Sequence, residues 1–127
     1  MWAHPWRLNA WRRLEPSWLD HLTAVEVWNR KYDGIAPSRA ALARARREGM
    51  RAAVALDFHS RRQLFPLALR LEVVDNLTVA SIYAALSIGH FAPRAFGLPL
   101  EPLVRGPGGI ALHGLEAVRR NARRVLP

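Results

Sequence analysis

Apolar residues recur along this chain in two rhythms, and the switches between them predict its elements. Ala52 to Leu56 is a short apolar run without polar alternation. That pattern suits a strand covered on both faces, as in parallel α/β sheets. Thr23-Ala-Val-Glu-Val-Trp-Asn29 predicts a second strand from its β-branched and aromatic residues, with Glu26 set unusually inside it. That carboxylate could face a polar barrel interior or pair with a neighbouring arginine, and a structural pairing is expected. Between the two strands, Asp33-Gly34 marks a turn, and Pro37 opens a helix with Ala41, Leu42 and Ala45 on one face and Gly49 as its stop. Strand, helix and strand with short connections form a βαβ unit, which implies parallel pairing.

The flanking segments are less regular. Met1 to Pro5 reads as the tail of a strand running into a loop, and Pro16 opens a short helix with Trp18, Leu19 and Leu22 as its inner face. Leu67 to Val74 predicts another strand. A helix then runs from Thr78, as N-cap, through Ile82, Ala85 and Leu86 to Gly89. Phe91 to Leu98 contains Pro93 and Gly97, so any strand there is expected to be short or at an edge. Residues 99–109, with three prolines and three glycines, predict a loop. A final helix is expected from Ile110 to Leu126, with Leu112, Leu115, Val118, Ala122 and Val125 as its apolar stripe.

Composition narrows the class. A chain of 127 residues, half of them apolar, suits one domain with a modest core. No apolar run approaches a membrane span and no signal core opens the chain, so a soluble cytoplasmic protein is expected. The absence of cysteine excludes disulfides and thiolate metal sites. The net charge of +9 favours polyanionic partners. Its clusters, Arg44, Arg46, Arg47 and Arg119, Arg120, Arg123, Arg124, fall on expected helices and read as solvated faces. All five tryptophans lie in the first 28 residues, a stacking surface or a pocket wall. No nucleic-acid-binding module is visible, which ranks nucleic acid last among partners.

The candidate chemistry follows the 52–56 run. Asp57 and His59 stand two residues apart at a strand end, where alternation would point both side chains the same way and where α/β folds place their sites. Together they suit a hard or borderline metal ion, and the plain alternative is Asp57 capping a turn. Arg61, Arg62 and Gln63 come next; Arg61 and Arg62 are candidates for binding a substrate phosphate. His21, His90 and His113 read as surface or packing residues.

Ala3-His4-Pro5 at a strand end, then Val25-Glu26-Val27-Trp28-Asn29 with Tyr32-Asp33-Gly34, an alanine-rich helix ending in Glu48-Gly49, and Leu56-Asp57-Phe58-His59 follow in an order that resembles the C-terminal half of a PHP-domain (polymerase and histidinol phosphatase) metal-dependent phosphoesterase. The likeness covers residues 1–98, leaving 99–109 as a loop and 110–127 as a helix. It implies an α/β fold, the C-terminal part of a distorted seven-stranded (β/α) barrel, incomplete here and followed by a C-terminal helix. It also implies divalent metal ions (Zn, Mn or Fe) held by His4, Asp57 and His59, and a phosphorylated small molecule or nucleotide as substrate. Phe58 departs from the small residue usual between the last two ligands. The family's His-x-His strand does not precede Met1, so the resemblance implies a truncated phosphoesterase, inactive alone. The alternative is a non-catalytic remnant that self-associates over its exposed strand edges or binds a partner.

Overall fold

The computed structural model describes residues 1–74 and 76–125, with the Arg62 side chain left out. Strand β1 (Ala24–Asn29), helix α1 (Arg39–Arg47) and strand β2 (Arg51–Ala55) form the expected βαβ unit, with β1 and β2 parallel. Ser38 caps α1 by accepting the Ala41 N–H, and the buried Ala41 and Ala45 lay the helix on the sheet. Every residue of β1 is buried. The run covered on both faces is therefore β1, more than β2, where only Ala53 and Val54 are buried.

Strand β3 (Leu67–Leu71), helix α2 (Val79–Ser87), strand β4 (Phe91–Ala95) and the two-residue strand β5 (Leu98–Pro99) make a separate antiparallel sheet in the order β3-β4-β5. Here the expected fold is overturned. The described residues form a two-stranded parallel sheet and a three-stranded antiparallel one, with no closed barrel and no part of a seven-stranded one. The reason lies in β3, whose outward residues Ala68 and Arg70 alternate with Leu67, Leu69 and Leu71. A half-solvated strand of this kind suits antiparallel pairing, whereas a barrel strand is covered on both faces.

Pro93 lies inside β4, the middle strand of its sheet. β5 reaches only Arg94 and Ala95, so Pro93 has no neighbour on that side to miss its absent N–H. Residues expected as a loop are helical: α3 (Leu100–Arg105) and the start of α4 (Pro107–Val125). Their prolines stand in first turns, where a missing N–H costs nothing. The expected end of α4 at Leu126 lies outside the described residues. Trp18, expected inside, is half exposed on a 3-10 turn. The core gathers Val25, Val27, Trp28, Val54, Leu67, Ala95 and Leu100, so the two sheets share it. No described helix is long and apolar enough to cross a membrane.

Candidate functional site

Three neighbouring parallel segments end along one edge of the first sheet. Trp2 flanks β1 on the side away from β2: its N–H donates to the Ala24 carbonyl (2.7 Å) and its carbonyl accepts from the Glu26 N–H (2.9 Å). Asn29 is the last residue of β1, and His4 and Asp57 stand just past the other two ends. Both His4 (φ 48°) and Asp57 (φ 49°) have left-handed backbone, a conformation that costs an L-residue roughly 1–2 kcal/mol. In each case the strained residue turns the chain out of the ladder. Leu8, Asn9 and Phe96 share this conformation away from the site, so the strain marks where the chain turns and does not by itself mark the chemistry.

A bulge in β1 builds the first half of the site. The pairing with β2 shifts between Glu26 and Trp28, which offsets side-chain alternation by one place. Glu26 and Asn29, three apart, therefore meet: Asn29 Nδ2 donates to Glu26 Oε1 at 2.9 Å. The other carboxylate oxygen accepts the His4 backbone N–H at 2.7 Å and lies 2.8 Å from His4 Nδ1. Asn29 Nδ2 also comes within 3.1 Å of that ring nitrogen, but the nearer carboxylate is an acceptor, so Nδ1 carries the N–H donated to it and in the neutral ring Nε2 holds the lone pair. Glu26 is thus partnered by an imidazole and an amide rather than by an arginine.

Tyr32 packs edge-on against the His4 ring, 4.8 Å between centroids. Asp33 Oδ2 accepts the Asn29 N–H at 2.7 Å. Burial pushes the Asp33 carboxyl up to about 6, with the Asn29 N–H working against that and the Glu26 charge adding to it. His4, Glu26, Asn29 and Asp33 line a hollow of about 20 Å³, room for a single water or ion. A cleft of about 520 Å³ adjoins it through Asp33 and runs on to Glu116 and Arg120, whereas one of about 390 Å³ shares none of its lining residues.

The second half is the segment after β2. The strand stops at Ala55, so the expected strand alternation does not bring Asp57 and His59 together. A turn does: His59 Nδ1 donates to the Asp57 backbone carbonyl at 2.7 Å and lies 3.4 Å from Asp57 Oδ1. A carbonyl only accepts, so this Nδ1 also carries the proton and Nε2 is left open. Gln63 Oε1 accepts the backbone N–H groups of His59 and Ser60 and holds the turn. Lys31 Nζ sits 3.1 Å from Asp57 Oδ2. Desolvation would raise the Asp57 carboxyl, but the Lys31 ammonium, helped by His59 and His4, holds it below the usual range. Arg61 opens an exposed 3-10 turn; the Arg62 side chain lies outside the described residues.

The donors suit a divalent ion in kind, being imidazole and carboxylate. They do not close around one: no three His, Asp or Glu among the described residues group so as to hold a metal. The donors instead stand as two pairs, His4–Glu26 and Asp57–His59. Sequence reasoning missed Asn29, Lys31 and Asp33, and misjudged Glu26. The available signal was the placing of Glu26 and Asn29, two polar residues, in a strand with no exposed position. No protein-family profile matches the chain, and no curated protein or solved structure matches it.

Proposed function

We propose that this edge carries part of a divalent-metal phosphoesterase centre, with His4 from one donor pair and Asp57 and His59 from the other as separate partial ligand sets for Zn, Mn or Fe, and a phosphorylated small molecule or nucleotide as substrate. One observation carries the reading. In both histidines Nδ1 is engaged with an acceptor, Glu26 for His4 and the Asp57 carbonyl for His59. That is how metal-binding histidines are oriented, with Nε2 presented to the ion. The resemblance to PHP-domain phosphoesterases supports the same three residues.

A divalent ion held there would supply polarisation of a phosphoryl oxygen and a hydroxide near neutral pH. The chain's own groups orient and balance charge. Glu26 and Asn29 hold the His4 ring, Gln63 holds the His59 turn, and Lys31 neutralises Asp57. Arg61 stands on the exposed rim, where a guanidinium can meet phosphate. The two donor pairs leave an ion short of ligands, so further donors have to come from water, substrate oxygen or another polypeptide segment.

The test is turnover of bis-p-nitrophenyl phosphate with Mn²⁺ or Zn²⁺, lost in His59→Ala. Metal binding without turnover favours the second reading, a non-catalytic protein that self-associates or binds a partner. That reading draws on α2 and the residues flanking it, where Leu77, Val79, Tyr83 and Ile88 are all exposed. Sedimentation over a range of concentrations separates a monomer from such an assembly.

A further inference from the structure

Glu116 is a buried carboxylate far along the chain from the proposed centre, on the middle of α4, and only 5% of it is exposed. Its Oε2 accepts the Ile35 backbone N–H at 3.0 Å, across 81 residues of sequence. Oε2 also accepts from Arg119 Nε (2.7 Å), and Oε1 accepts from Arg119 Nη2 (2.6 Å) and Arg120 Nε (2.6 Å). Arg120 reaches on to the Asp33 carbonyl at 3.4 Å. The carboxylate presses against Gly34, where an added Cβ would collide with both of its oxygens. The gripped loop leads straight to the site. Asp33 accepts the Asn29 N–H, and Asn29 holds Glu26 and approaches His4.

We propose that Glu116 is a positioning residue for the His4 pair: by gripping residues 33–35 it sets Asp33, hence Asn29, hence the orientation of the His4 imidazole. The proposal deepens the metal-centre reading and rests on it for its functional meaning. Its geometry can be tested without metal. In the linkage, Glu116 touches neither substrate nor ion. It acts only through the loop and the Asn29 amide.

The experiment uses the full chain and follows the His4 ring nitrogens by ¹⁵N NMR in wild type, Glu116→Gln and Arg124→Ala, an exposed change on the same helix. A Gln keeps the shape but places an amide N–H₂ against donors that need an acceptor. The expected result is that His4 loses its Nδ1–H preference in Glu116→Gln, its two ring resonances moving toward each other, and keeps it in Arg124→Ala. Zn²⁺ affinity by calorimetry should fall about 10-fold in the same variant, the usual consequence of disturbing a ligand's support. A purely structural role would lower the melting temperature and leave the His4 tautomer unmoved, which overturns the proposal. If Glu116→Gln does not fold, Arg119→Ala loosens the same carboxylate, and an unchanged His4 spectrum there overturns it equally. A wild type that binds no Zn²⁺ sinks the metal-centre reading, while the ring measurement still decides the role of Glu116.

Discussion

His4 Nδ1 and Glu26 Oε2 are 2.8 Å apart, and the carboxylate is almost wholly buried while the imidazole remains partly open. The buried partner orients and the open one is presented. Glu26→Gln should therefore keep the fold yet weaken Zn²⁺ binding about 10- to 100-fold, because its amide N–H₂ opposes either Asn29 or His4. Glu26→Ala should also cost stability, about 1–3 kcal/mol, since the His4 and Asn29 donors lose their acceptor. Calorimetry and urea denaturation measure the two effects separately.

Lys31 and a metal ion would compete for Asp57, since Lys31 Nζ already lies 3.1 Å from Oδ2. Lys31→Met should strengthen Zn²⁺ binding by a few-fold at low salt and by less at high salt, where screening weakens the exposed pair. Unchanged affinity in a calorimetric titration would show that Asp57 takes no part.

Gly34 and Gly49 both have left-handed backbone (φ 81° and 63°), but only at Gly34 would a Cβ meet other atoms, those of Glu116 and Arg119. Gly49→Ala should cost the backbone term alone, roughly 1–2 kcal/mol. Gly34→Ala should cost about 1–3 kcal/mol more, because the carboxylate must give up bonds to make room. Equal losses by chemical denaturation would show that the contact with α4 is not tight.

Acid should weaken the grip of α4. Burial alone would raise the Glu116 carboxyl, but Arg119, the Ile35 N–H and Arg120 outweigh it and hold the group at about 2. Its folded-state value lies below the unfolded one, so its stabilisation is full above about pH 4.5. It is lost as pH falls toward 2, a change on the order of 3 kcal/mol. Asp33, raised to about 6, has the opposite sign: the folded state takes up its proton first, so this group lowers stability as pH rises from 4 through 6. Glu116→Gln should flatten the acid limb and Asp33→Asn the slope between pH 4 and 6, as read from denaturation midpoints across pH.

The sequence made the βαβ unit legible because capping and periodicity act locally there: Ser38 precedes a helix with small residues on one face, and Gly49 ends it. The antiparallel sheet was less legible: Leu67-Ala-Leu-Arg-Leu71 alternates as a half-solvated strand does, but its partner β4 carries Pro93, and strand pairing is decided by contacts between segments distant in sequence. His4, Asp57 and His59 were legible as site candidates from their order along the chain. Glu116 was not, because its partners Gly34 and Ile35 are some 81 residues away and only tertiary packing brings them together. The meeting of Glu26 with Asn29 depends on a bulge, and no residue type in β1 announces one.

The central claim is that His4 and His59 present Nε2 to a divalent ion, and a Zn²⁺ titration followed by ¹⁵N NMR of the five histidines tests it directly. Saturable shifts confined to the Nε2 resonances of His4 and His59, with His21, His90 and His113 unmoved, are the result expected. Shifts spread over all five rings, or none at His4 and His59, would contradict it.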